Sequence, residues 1–118
     1  MLFRSKPKAV IYDVDKTLTK KNVAKNARKD SAKGKKVLVV TSRPETQRKS
    51  TERFLKENKI PADKVLMRPK KNDKKDAKVK KALYEKDIKG KYAVEKAYDD
   101  KHSNVKMFRK EGIKTKEV

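Results

Sequence analysis

Cysteine is absent from the 118 residues, which excludes disulfides, thiolate metal sites and a thiol nucleophile. Histidine occurs once, at His102, and a lone histidine in a charged stretch is given no catalytic role. No apolar run approaches the length of a membrane span or a secretion signal, so no membrane association and a cytoplasmic protein are expected. The pattern G-x-x-x-x-G-K-[ST] is missing, so no kinase phosphate loop is encoded. Aromatics are few, with 4 Tyr, 3 Phe and no Trp. Acid is scarce as well: Asp+Glu total 16 against Lys+Arg 37, a formal net charge of +21. Such an excess favours polyanionic partners through counterion release, although the same lysines can equally be a solvated coat that keeps a small protein soluble.

What the chain does have is clustered hydrophobicity. With 34% hydrophobic and 45% charged residues the averages lean toward disorder. The apolar residues are nevertheless bunched, as Ala9-Val10-Ile11-Tyr12, Val37-Leu38-Val39-Val40, Val65-Leu66-Met67 and Tyr92-Ala93-Val94. Short, β-branched, continuous runs are how strands covered on both faces of a parallel sheet read. Helix-like stretches separate them: 22–33, rich in Ala and Lys; 45–58, with Pro44 at its first turn; 76–86, with Val79, Leu83 and Tyr84 at helical spacing; and 103–111, with Val105, Met107 and Phe108, ending at Gly112. A last strand is expected within 113–118. Glu95 and Lys96 interrupt the fourth strand and mark an end or an edge. The alternation predicts a single α/β domain over residues 1–118, a doubly wound parallel sheet whose ligands sit beyond the carboxyl ends of its strands.

At that end of the first strand stands Asp13-Val14-Asp15-Lys16-Thr17-Leu18-Thr19. In an extended stretch residues i and i+2 point the same way, so Asp13 and Asp15 can converge on one cation or one phosphorus. A bare D-x-D is also compatible with two loop aspartates capping the next helix. The apolar strand before it and Thr-Leu-Thr after it favour a site.

Asp13-x-Asp15-x-Thr17 after a hydrophobic strand resembles the first motif of the haloacid dehalogenase (HAD) phosphatases. Val39-Val40-Thr41-Ser42-Arg43 resembles their second motif, Lys80 their third and Asp99-Asp100 their fourth, all in the right order. The arrangement is more similar still to the 3′-phosphatase domain of phage polynucleotide kinases, with Thr41-Ser42-Arg43 after the second strand, Asp76 four residues before Lys80, and Asp99-Asp100 before the Met107-Phe108 pair. Those domains carry an arginine after the first motif, where this chain has Lys20, Lys21 and Lys25.

The resemblance implies a HAD-like core and phosphomonoester hydrolysis through an aspartyl-phosphate. It implies Asp13 as nucleophile, Asp15 as acid/base, and Thr41 and Lys80 as catalytic stabilisers. Thr17, Ser42, Arg43 and Asp76 would be substrate-binding. Mg²⁺ would be held by Asp13, Asp99, Asp100 and the Asp15 backbone carbonyl. The segments between motifs are too short for an inserted cap, so a capless, monomeric enzyme is expected. An open site and a basic surface favour nucleic-acid 3′-phosphate ends, bound without sequence preference. A nucleotidase or general small-molecule phosphatase is the alternative enzyme, and a non-catalytic polyanion-binding protein on the same fold is the alternative of another class. Tyr84, Met107 and Phe108 are expected in the core.

Overall fold

The computed structural model describes residues 5–118. Strands β1 (Lys8–Tyr12), β2 (Lys36–Pro44), β3 (Lys64–Arg68), β4 (Ala93–Asp99) and β5 (Thr115–Glu117) form one sheet in the order β3-β2-β1-β4-β5. Every pairing is parallel. The connections carry helices α1 (Lys21–Ala32), α2 (Arg48–Glu57), α3 (Asp76–Asp87) and α4 (His102–Lys110). This is the doubly wound α/β sheet that the alternation of runs predicts.

The two faces explain why the central strands are continuously apolar. Successive side chains of a strand point to opposite faces. Val10, Tyr12, Val37 and Val39 pack with Val23, Ala27 and Leu55 beneath α1 and α2, whereas Ala9, Ile11, Leu38 and Val40 pack with Tyr84, Ile88 and Phe108 beneath α3 and α4. Leu38 is wholly buried, and Leu38→Ala would cost about 2–5 kcal/mol through lost burial and the cavity left behind.

One expectation is corrected. Glu95 and Lys96 do not interrupt the fourth strand. Ala9 pairs with Val94 and Val10 with Lys96, so Glu95 is an extra residue bulged out of β4, which then continues to Asp99. The bulge lets Glu95 reach Lys35 at 2.9 Å, and Lys96 lays its ammonium 4.9 Å from the Tyr98 ring centroid. The helix expected after Pro44 forms: β2 runs on through Thr41, Ser42 and Arg43 to Pro44, which pairs with Arg68 and caps a single 3₁₀ turn, Glu45–Gln47, and α2 continues directly from Arg48.

The order β3-β2-β1-β4-β5 sends the chain outward from β1 to one side and, after β3, back to the other. The resulting crevice lies at the carboxyl ends of β1 and β4. Between Leu18 and Lys36 there is only α1, and between Pro44 and Lys64 only the tight turn and α2. Nothing is inserted there that could cover the crevice.

Candidate active site

The two strand ends are fastened to each other before any reacting group is considered. Tyr12 and Tyr98 stack with centroids 4.8 Å apart. Asn26 of α1 donates to both phenol oxygens, at 2.7 and 3.0 Å, and the Tyr12 hydroxyl donates to buried Asp30 at 2.6 Å. Asp13 follows β1 directly, its N–H donating to the Tyr98 carbonyl at 3.1 Å and its carbonyl accepting from the Leu18 N–H at 3.3 Å. Val14 and Leu18 pin this turn into the core, and Lys16, at φ 57, reverses the chain in the left-handed region. Thr17 is buried with its hydroxyl 3.4 Å from Asp13 Oδ2.

Lys80 enters from α3. Its side chain is only 1% exposed, and Nζ donates to Asp13 Oδ1 at 2.9 Å and to Asp99 Oδ2 at 2.5 Å. Burial works against the Lys80 charge, but the attraction of Asp13 and Asp99 outweighs it and holds the proton more firmly than on an ordinary lysine. Burial pushes the Asp13 carboxyl up to about 7, against the pull of Lys80 and with the push of the Asp99 charge. Neighbouring Lys78 and Lys81 are exposed.

Asp99 is fully buried at the end of β4, its Oδ1 accepting from the Lys101 N–H at 3.0 Å and from Asn104 Nδ2 at 3.2 Å. One carboxylate oxygen each from Asp13, Asp99 and Asp100 lies within 4.8 Å of the others. An oxygen-only set of three carboxylates suits a hard cation such as Mg²⁺.

Asp15 points away from this cluster to a bidentate pair with Arg43, Nε to Oδ2 at 3.0 Å and Nη2 to Oδ1 at 2.7 Å. That hydrogen-bonded guanidinium holds the Asp15 carboxyl below the ordinary aspartate value. Arg43 Nη1 is braced by the Thr51 hydroxyl at 3.2 Å. Across the opening, Asp76 binds Arg68 at 2.5 Å and Lys101 at 2.9 Å. Burial raises its carboxyl, but these cations prevail and it lies below the ordinary range. A cavity of about 280 Å³ is lined by Asp13, Asp15, Lys80 and Asp100, with Ser42 and Asp76 at its side.

The family described as "Polynucleotide kinase PNKP phosphatase domain" matches residues 11–118. The chain belongs to this family. A chain in the solved "Structure of Pnkp1/Rnl/Hen1 complex" is similar at 34% identity and a TM-score of 0.90, over 97% of this chain and 46% of that one. Another, in the "Structure of the Pnkp1/Rnl/Hen1 RNA repair complex", is similar at 33% identity and a TM-score of 0.92, over 96% of this chain and 42% of that one. This chain therefore spans less than half the length of either. No curated protein matches it significantly. Membership makes the protein a HAD-type phosphatase.

Within this phosphatase fold, most of the candidate residues converge. Asp13, Asp15, Ser42, Asp76, Lys80 and Asp100 share the cavity, with Asp99 just beneath. Thr41 does not reach it: the residue is buried, and its Oγ1 accepts the Arg43 N–H at 3.2 Å. Thr17 touches Asp13 and does not line the cavity, and Asp76 lines the cavity as the counter-ion of Arg68 and Lys101. His102 meets Glu117 at 2.8 Å on the surface, away from the site.

Four residues escape sequence reasoning. Lys16, Lys101 and Asn104 line the cavity, and Arg68 reaches Asp76 from the end of β3. A usable signal existed for Arg68 and Lys101, since both stand at or just past the carboxyl end of a strand. None existed for Asn104, which in sequence is one more polar helix residue.

Proposed function

We propose that residues 1–118 act as one phosphatase domain that removes the 3′-phosphate of nucleic-acid ends in a Mg²⁺-dependent reaction. The observation that carries this reading is the meeting of Asp13, Lys80 and Asp99 at one strand-end crevice, with Asp15 on its open side. The Asp13 carboxylate attacks phosphorus, the bond from phosphorus to the leaving oxygen breaks, and Asp15 gives that oxygen a proton. Asp15 then takes a proton from the water that attacks the aspartyl-phosphate, releasing inorganic phosphate and restoring Asp13. Mg²⁺, held by Asp13, Asp99 and Asp100 with the Asp15 backbone carbonyl, would offset charge on the transferring phosphoryl group. Lys80 neutralises Asp13 and Asp99 from the buried side, which favours the ionised Asp13 that attack requires.

The Arg43 fork matches a phosphate as well as it matches Asp15. A substrate phosphate that draws Arg43 to itself leaves Asp15 free to hold the proton that the guanidinium otherwise disfavours. Arg43 thus links substrate binding to readiness of the acid.

The open crevice supports a bulky, polymeric substrate over a small one, and the RNA repair complex in which a similar chain was solved supports a nucleic-acid end. The test is phosphate release from a 3′-phosphorylated oligonucleotide, compared with free nucleotides, with Mg²⁺ and with a chelator. Mg²⁺-dependent release with preference for the oligonucleotide is expected, and Asp13→Asn abolishes it. Equal turnover of free nucleotides would make the protein a nucleotidase, and full activity in chelator would remove the metal role.

A further inference from the structure

Beside the catalytic cavity, α3 and α4 leave a groove of about 340 Å³ between them. Ala77 and Met107 give it an apolar lining, and exposed Lys78, Lys81, Lys106 and Lys110 crowd its rim. The only acid lining it, Glu111, is engaged by Lys89 at 3.5 Å. None of the four lysines forms an ion pair with another described residue.

A net charge of +21 does not by itself place four cations here. The comparable groove between α2 and β3 is lined by one lysine, Lys56, and one acid, Glu52. On α3 the lysines stand three apart and on α4 four apart, so each pair shares one helix face, where like charges destabilise a helix. Such an arrangement suits an anionic partner with repeated charges. The groove also adjoins the reaction site along the chain: Asp76 of α3 and Asn104 of α4 line the cavity, and their sequence neighbours Ala77 and Ser103 line the groove.

We propose that the nucleic-acid strand bearing the reacting phosphate runs from the cavity along the α3–α4 groove, its backbone phosphates against Lys78, Lys81, Lys106 and Lys110 and its sugars or bases over Ala77 and Met107. The proposal rests on the nucleic-acid reading above. A polar backbone track of this kind reads no sequence, and its strength falls with salt.

The test compares two quadruple variants that each remove four positive charges. One carries Lys78→Gln, Lys81→Gln, Lys106→Gln and Lys110→Gln; the control carries Lys49→Gln, Arg53→Gln, Lys56→Gln and Lys59→Gln on the exposed surface of and just after α2. Single-strand contacts contribute a log-log salt slope of about 0.7 each, so the groove variant should lose about 3 units of slope and bind a short 3′-phosphorylated oligonucleotide with KM raised about tenfold or more. Its turnover of p-nitrophenyl phosphate should match the control. Equal KM and equal salt slopes in the two variants would overturn the groove while leaving an oligonucleotide preference intact. Absence of any oligonucleotide preference in the unaltered protein would instead overturn the substrate reading, and the groove with it.

Discussion

Lys80→Met isolates what one buried ammonium does for this fold. Lys80 is the common partner of Asp13 at 2.9 Å and Asp99 at 2.5 Å, and all three are buried. Methionine fills most of the space but leaves two carboxylates facing each other without a cation, a change that costs about 3–5 kcal/mol when a buried pair is broken. Against a total stability of roughly 5–15 kcal/mol for a domain, the loss is severe but measurable. With a urea dependence of about 2 kcal/mol per molar, the unfolding midpoint should drop by about 2 M. The cost should depend on pH with a definite sign. Lys80 is one of the groups that lower the Asp13 carboxyl, so its removal lifts that carboxyl above the value of about 7 it has in the unaltered protein; the loss therefore grows as pH rises through and past that value, and shrinks below it, where Asp13 holds a proton in both proteins. Urea titrations in chelator at about pH 8 and about pH 5 measure both sides. Asp99→Asn added to Lys80→Met should recover part of the stability at the higher pH. A loss under about 1 kcal/mol at the higher pH, or the same loss at both, would refute the charge argument and reduce Lys80 to a packing residue.

Asp15→Asn should lower turnover of an alkyl phosphomonoester by about 10²–10⁴-fold, but spare much of the rate on an aryl phosphate whose leaving group needs no proton; steady-state rates on the two substrates decide it. In chelator, the raised Asp13 carboxyl means that the folded state holds a proton that the unfolded chain has released between about pH 4 and about pH 7, so melting temperature should fall as pH rises through that window and Asp13→Asn should flatten the fall. A slope unchanged in Asp13→Asn would put its origin elsewhere. Asp15 has the opposite sign: its depressed carboxyl contributes stability above the unfolded value of about 3.9, lost as pH falls further. The stability difference between the protein and Arg43→Ala should therefore vanish in acid, and a difference that persists there would belong to the Arg43–Thr51 contact instead.

The sheet was legible because β1 and β2 are covered on both faces, which forces continuous apolar runs that few other structures need. The fourth strand was only half legible: its bulge at Glu95 breaks the period of two, and an exposed glutamate beside a half-buried lysine has no apolar signature. Pro44 marked the helix start correctly but hid that the same residue also ends β2, because proline suits the first turn of a helix and the end of a strand alike. In the site, order of motifs along the chain identified the carboxylates and Lys80, while Lys78 and Lys81 differ from Lys80 only in the helix face they occupy. The Arg43–Asp15 and Arg68–Asp76 pairs were invisible, since they depend on which strand ends become neighbours. Thr41 marks the opposite failure: its motif position was clear, yet the strand's alternation turns it inward and Ser42 outward.

The strand order carries a consequence for the order of assembly. β1 is central in the finished sheet, but its neighbour β4 begins only at Ala93. While the chain emerges from the ribosome, β1 can pair with β2 and still present an open edge of Ala9, Val10, Ile11 and Tyr12, among the most apolar residues in the molecule. Such an edge recruits other chains. The lysines between the apolar runs give every partly made chain a strong like charge, and this repulsion opposes edge-to-edge association until β4 arrives. The lysine coat thus protects the unfinished chain from its own copies.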